Sequence, residues 1–223
     1  MMKSKLATKT ILSPNNSGQR KYDITRITPH IVVGQFDAET VANWFAKPER
    51  KASANYIIGK SGEILCNVEE ENRAWTSGSY DNDNRAITIE CACDLHTPYA
   101  LNLSVYDALI NLTVDICKRY NKNRVVWYDD KLLTHKQADD EMLITAHYFF
   151  EKVECFGTWL KGKMPDFVEK VNKKLSSSTD DDVLYKVQVG AFKIKDNATR
   201  LRDELRNLGY NDAFVIKTER GNK

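Results

Sequence analysis

Hydrophobic and polar positions along this chain alternate in some stretches and recur at helical spacing in others, which predicts a mixture of strands and helices. Residues 27–33 (Ile-Thr-Pro-His-Ile-Val-Val) read as a strand. Asp37 is a candidate N-cap for a short helix on which Val41, Trp44 and Phe45 share a face, and Lys47-Pro48 closes it. Two runs, 55–59 and 64–68, flank Lys60-Ser61-Gly62 and predict a hairpin. Over residues 86–93 a period of two places Ile87, Ile89, Cys91 and Cys93 on one face and Thr88, Glu90 and Ala92 on the other. Leu103, Tyr106, Leu109, Ile110, Thr113, Cys117 and Tyr120 recur at helical spacing and predict the long core helix. A short strand follows at 124–127, then a polar connection over 128–141. Met164, Val168, Val171 and Leu175 predict a further helix with Pro165 in its first turn.

The two ends of the chain read differently. Residues 1–21 are polar, with Ser13-Pro14-Asn15-Asn16-Ser17-Gly18, and read as a flexible arm ahead of a main domain at 22–175. Residues 176–182, Ser-Ser-Ser-Thr-Asp-Asp-Asp, contain no apolar side chain and read as a linker. In 183–223, Val183, Tyr185, Val187 and Val189 alternate as a strand. Ala198, Leu201, Leu205 and Leu208 then form a helix face ended by Gly209, and 213–217 is a second strand. The tail is expected to be a small βαβ unit.

Composition narrows the function classes. With 223 residues, 42% of them hydrophobic, there is room for one full domain and a small second one. A net charge of +2, dispersed along the sequence, provides no concentrated basic field, so nucleic acid is not an expected partner. Neither a membrane span nor a signal-peptide core is found, so the expectation is a cytoplasmic protein without its own export signal. The five cysteines, at 66, 91, 93, 117 and 155, are odd in number and irregular in spacing, which suits reduced thiols.

Four histidines are present. His96 and His135 fall in polar loops, where exposed side chains are expected, and His147 precedes Cys155 by eight positions. By itself that spacing fits a metal site or two unrelated, partly buried residues. The longer stretch Thr145-Ala146-His147-Tyr148-Phe149-Phe150-Glu151-Lys152-Val153-Glu154-Cys155-Phe156-Gly157 resembles the last zinc segment of the type-2 N-acetylmuramoyl-L-alanine amidases, which include the peptidoglycan-recognition proteins. Ile27-Thr28-Pro29-His30 resembles their first zinc-histidine strand, residues 51–64 their central hairpin, and Asn72-Arg73-Ala74-Trp75 with residues 84–90 their next two blocks. The blocks keep the family's order over residues 22–175 and are most similar to lysins of clostridial phages and prophages.

The resemblance implies an α/β fold with a mixed central β-sheet flanked by helices. It implies Zn2+ held by His30, His147 and Cys155, three ligands with the fourth position open, as in catalytic sites. Glu90 matches the strand glutamate that moves protons in many members, which agrees with its place opposite the apolar face; a surface ion pair with Arg85 is the alternative. Arg73 and Trp75 stand where relatives contact substrate, although Trp75 also suits packing, and Tyr56 is a further substrate-contact candidate on the hairpin. Ala54 and Val153 occupy the positions at which some phage amidases carry a tyrosine and a lysine, which favours Glu90 as the base. Phe156 replaces a usual proline. Tyr185-Lys186-Val187-Gln188-Val189-Gly190-Ala191-Phe192 resembles the opening of the SPOR domain, a glycan-binding wall module, here partial, so that it is completed in a homodimer, docks on the amidase or is poorly ordered. The implied substrate is cell-wall peptidoglycan, cut between N-acetylmuramic acid and L-alanine and reached by an endolysin after membrane permeabilisation. A cytoplasmic muropeptide-recycling amidase and a non-catalytic peptidoglycan-recognition protein are the alternatives.

Overall fold

The structure, a computed structural model, describes residues 3–129, 138–181 and 187–217. His135 and the first part of the expected tail strand lie outside the described residues. Two units are separated between Asp181 and Asp182.

In the first unit the described residues form one seven-stranded sheet in the order β1-β5-β4-β7-β3-β9-β8. Its strands are β1 (Ala7–Thr10), β3 (Arg26–Val33), β4 (Tyr56–Ile58), β5 (Ile64–Cys66), β7 (Ala86–Cys93), β8 (Arg124–Trp127) and β9 (Glu141–Ile144). β4 and β5 pair antiparallel through the expected hairpin, while β4–β7, β7–β3, β3–β9 and β9–β8 are parallel. The sheet is therefore mixed. Parallel strands are covered on both faces, which is why β7 has seven buried residues in eight instead of a half-polar alternation.

Helices supply that cover. α3 (Leu103–Arg119) turns Val105, Tyr106, Leu109, Leu112, Ile116 and Cys117 into the larger core with Ile87, Ile89, Cys91 and Cys93, the face that the period of two marks. Asn102 caps it by accepting from the Val105 N–H at 3.0 Å. α1 (Ala38–Phe45) packs Ala38, Val41, Ala42 and Phe45 against Ile57 and Leu65 on the other face, where each large side chain contributes about 1.5–3 kcal/mol. Asp37 holds the N-cap position of α1, but its side chain makes no cap bond. Glu63 accepts the Ala38 N–H instead, at 2.7 Å, and Asp37 pairs with Lys60.

Three expectations change. Residues 1–21 are not an arm: β1 pairs with β5, and β2 (Asn16–Gln19) pairs with β6 (Asn72–Ala74) in a separate ribbon. Their polarity serves backbone anchoring, because Ser13 and Asn15 are buried and bond to the Phe45 carbonyl. The last helix of the unit, α4 (Gly157–Asp181), begins seven residues before the expected position and contains Pro165 in its interior. The same helix runs through residues 176–181, which were expected to be linker. Serines are tolerated there because Ser176 and Ser177 hydroxyls donate to the carbonyls of Lys173 and Lys174.

In the second unit α5 (Lys195–Asn207) is present, followed by Gly209 at φ +99°. Among the described residues no strand flanks it: 187–189 and 213–217 of the two expected strands do not form strands. Val187, Val189, Ile194, Phe214 and Ile216 are exposed, and without a covering layer two short strands have too little to pack on.

Candidate metal centre and active site

The register of three parallel strands assembles the site. β3 pairs with β7 so that His30 stands beside Glu90. β3 pairs with β9 so that Ile27 stands beside Ile144, and the Thr145 N–H continues the ladder to the Ile27 carbonyl at 2.9 Å. Extending that register sets Thr28 beside Thr145 and His30 beside His147. The hydroxyls of Thr28 and Thr145 lie 2.6 Å apart, both bonded to Asn82 from the helix α2 (Tyr80–Arg85). One pleat further on, the His30 and His147 rings stand 4.9 Å apart, tilted by 59°. Glu90, His30 and His147 therefore form a row across β7, β3 and the end of β9.

Cys155 closes the group from the loop after the 3-10 turn His147–Phe149. Its Sγ lies 3.4 Å from His30 Nδ1 and accepts the Ile31 N–H at 3.4 Å. Phe156, fully buried, pins the loop against Trp127 and Tyr148, each at 5.8 Å between ring centres. Apolar anchoring thus replaces the ring of the usual proline.

The ligand atoms of His30, His147 and Cys155 all lie within 4.8 Å of one another. Two imidazoles and a thiol are a donor set that suits zinc. With Zn–S of about 2.3 Å and Zn–N of about 2.0–2.1 Å, a tetrahedral site has an S···N edge of about 3.6 Å, close to the 3.4 Å between Cys155 and His30. Burial, helped by His147, holds His30 well below its ordinary value and so neutral, as ligation requires. Burial also pushes the Cys155 thiol up, so the thiolate forms only with a cation beside it. The residues present fit zinc, with a fourth position left for another ligand.

Glu90 is raised to about 7 by burial, and its Oε2 has no hydrogen-bond partner among the described residues. Arg50 is the cation whose field opposes that shift. Arg85 does not approach Glu90; it pairs with Asp81 and stacks on Tyr22. Both Glu90 and Arg50 line a cleft of about 500 Å³ with Phe36, Trp44, Trp75 and Thr76. Trp75 is held by its indole N–H, which donates to Ser17 at 2.6 Å.

Two further expected contacts lie elsewhere. Arg73 stacks on Tyr80, 4.6 Å from the ring centre, and does not line the cleft. Tyr56 is fully buried in the α3-side core, with its hydroxyl bonded to Glu70 and to the Ser4 N–H, so it is not a substrate contact. Glu70 also binds Arg119 through both guanidinium nitrogens, at 2.5 and 2.6 Å, and Tyr120 at 2.8 Å. His96 is exposed, as expected. The sequence reading missed Arg50 near Glu90 and the support that Thr28, Thr145 and Asn82 give under the histidines. One signal for the last was available, because Thr28-Pro29-His30 and Thr145-Ala146-His147 repeat one Thr-x-His spacing.

Residues 20–148 match the family model for N-acetylmuramoyl-L-alanine amidase, and residues 169–223 match that of the SPOR domain. No curated protein matches the chain. Among solved structures, PlyL is similar with a TM-score of 0.53 at 15% identity, covering 73% of this chain and 95% of that one. A mutant endolysin from Bacillus subtilis gives 0.54 at 15% identity, over 74% of this chain and 99% of that one. A selenomethionine derivative of AmpD gives 0.52 at 18% identity, over 75% and 99%. At such identities these likenesses speak for the fold, which is the mixed sheet with flanking helices described above. The family match covers more than half of the sequence, and the chain belongs to the N-acetylmuramoyl-L-alanine amidases, with a SPOR segment at its C-terminal end.

Proposed function

We propose that this amidase is a zinc hydrolase of phage or prophage origin that cuts wall peptidoglycan between N-acetylmuramic acid and L-alanine. The observation that carries the reading is the convergence of His30, His147 and Cys155, with Glu90 in register beside His30 and itself lining an aromatic cleft. Zinc bound there supplies a Lewis acid for the amide carbonyl and lowers the pKa of water. Glu90, with Oε2 free, takes the proton of the attacking water and returns it to the leaving L-alanine nitrogen. Trp75 and Trp44 offer flat apolar surfaces for the sugar and the stem.

The SPOR match supports action on the wall over the recycling of soluble muropeptides, and the retained Cys155 supports catalysis over recognition alone. No described helix is long and apolar enough to cross a membrane, which suits an enzyme that reaches the wall after the membrane is permeabilised by another factor. The exposed apolar residues of the second unit support its pairing with a second copy, a state that sedimentation would register as a dimer.

Purified protein on isolated cell walls tests the activity. New L-alanine N-termini with free muramic lactyl groups are expected; new reducing sugars without them would overturn the reading. Zinc content of about one per chain, lost in Cys155→Ala, tests the metal separately.

A further inference from the structure

Glu151 sits four residues after His147, and its Oε2 lies 3.2 Å from His147 Nε2. Its backbone is fixed by the same turn, since the Glu151 N–H donates to the His147 carbonyl at 3.2 Å. The other carboxylate oxygen lies against Gly78, in the loop that precedes α2. A Cβ on Gly78 would stand 2.0 Å from Glu151 Oε1, and the glycine has φ +71°, so its backbone and its missing side chain together leave the seat that the carboxylate fills. The carboxylate is thus held from two sides, by a ring nitrogen and by a foreign loop.

We propose that Glu151 is the positioning residue of the metal centre: seated on Gly78, it fixes the orientation and tautomer of His147. An ionised carboxylate can only accept, so Nε2 carries the hydrogen and Nδ1 keeps its lone pair for the metal. Of the two nitrogens, one is committed to orientation and the other to ligation. A carboxylate behind a metal-bound imidazole also raises its basicity, and removing such a partner typically weakens metal binding about 10–100-fold. The residue acts through His147. The inference rests on the zinc reading above for its metal half, while its tautomer half stands without metal.

Zinc affinity of the full chain, measured by chelator competition, is the first arm. Glu151→Ala is expected to bind zinc about 10–100-fold more weakly than the unaltered protein. Glu151→Gln, whose amide oxygen still accepts, is expected to lose less. Because Glu151 is half exposed, the metal-free melting midpoint should stay the same in both variants; a parallel fall would mark a merely structural role and overturn the proposal. Unchanged zinc affinity in Glu151→Ala would overturn it as well. Cobalt substitution is the second arm: an absorption spectrum that keeps its ligand-field pattern in Glu151→Ala supports positioning, and a changed pattern shows Glu151 to be a ligand itself. The third arm uses imidazole nitrogen shifts in metal-free protein, where His147 should be the Nε2–H tautomer and should become mixed in Glu151→Ala. If the unaltered chain takes no zinc, the metal reading fails, and the tautomer measurement still decides for or against Glu151.

Discussion

Glu90 is held in the folded chain at a cost. Its carboxyl is raised from 4.5 to about 7 by burial, so between those values the folded state keeps a proton that the unfolded state has released. Glu90's own contribution to the stability of the metal-free protein should therefore decline as pH rises from 4.5 to about 7, by at most about 3 kcal/mol, while His30, held below its ordinary value, acts in the opposite direction over part of that range, so the Glu90 contribution is read as the difference between the unaltered protein and a Glu90 variant. Glu90→Gln removes the ionisation: its metal-free form should melt higher than the unaltered protein at pH 8, and the two should converge near pH 4. Melting curves across that range check this, and an unchanged slope in the variant would contradict it. Amidase activity on isolated walls should fall by about 10²–10⁴-fold in the same variant. The grouping of His30, His147 and Cys155 with Glu90 alongside was legible in the sequence because each occupies a motif position with its own neighbours. Tyr56 was misread because β4 is buried on both faces, where alternation says nothing about which face a side chain takes. Arg50 was missed because a cation after a proline in a 3-10 turn has no local pattern to mark it.

Among the elements, the parallel core was legible and the periphery was not. β3, β7 and α3 carry long regular patterns, and the structure places them within a residue or two of expectation. β1 and β2 are polar, four-residue strands whose formation depends on the partners β5 and β6; nothing local distinguishes them from a loop. The start of α4 was missed because Pro165 suggested a first turn, although helix packing continues on both sides of it through Leu160, Met164 and Phe167. The Glu70 cluster joins the segment before β6 to α3 and, through Tyr56, to the residues before β1. Glu70→Ala leaves the Arg119 guanidinium without its deeply buried partner and should cost about 3–5 kcal/mol, or roughly 6–20 °C in melting midpoint. Zinc content should not change, because the cluster faces away from the metal centre. A midpoint within about 2 °C of the parent, a change of no more than about 1 kcal/mol, would show the cluster to be dispensable.

At the scale of the molecule, the first unit has its own sheet, two cores and the whole candidate site. A chain of residues 1–181 should keep the zinc content and melting midpoint of the full protein and its turnover of a soluble muropeptide. Binding to insoluble wall should weaken, which a sedimentation assay with labelled protein would register. Loss of fold on truncation would mean that the second unit contributes to the stability of the first. The fold class followed from the order of elements together with the family motifs. The tail resisted reading because its alternating residues promise strands without supplying a layer to cover them.

Glu90 and His30 owe their spacing to the backbone ladder between β7 and β3, and His147 opens the 3-10 turn just past the ladder between β3 and β9. Cys155 reaches the group from the loop that follows that turn, and the loop is moored by Phe156 in the aromatic cluster. Chelation should accordingly strip the metal and abolish activity while leaving the far-ultraviolet circular dichroism as it was, and added zinc should restore turnover without refolding. On the zinc reading, folding and metal loading are then separate steps, and the folded chain gains turnover when the ion is supplied.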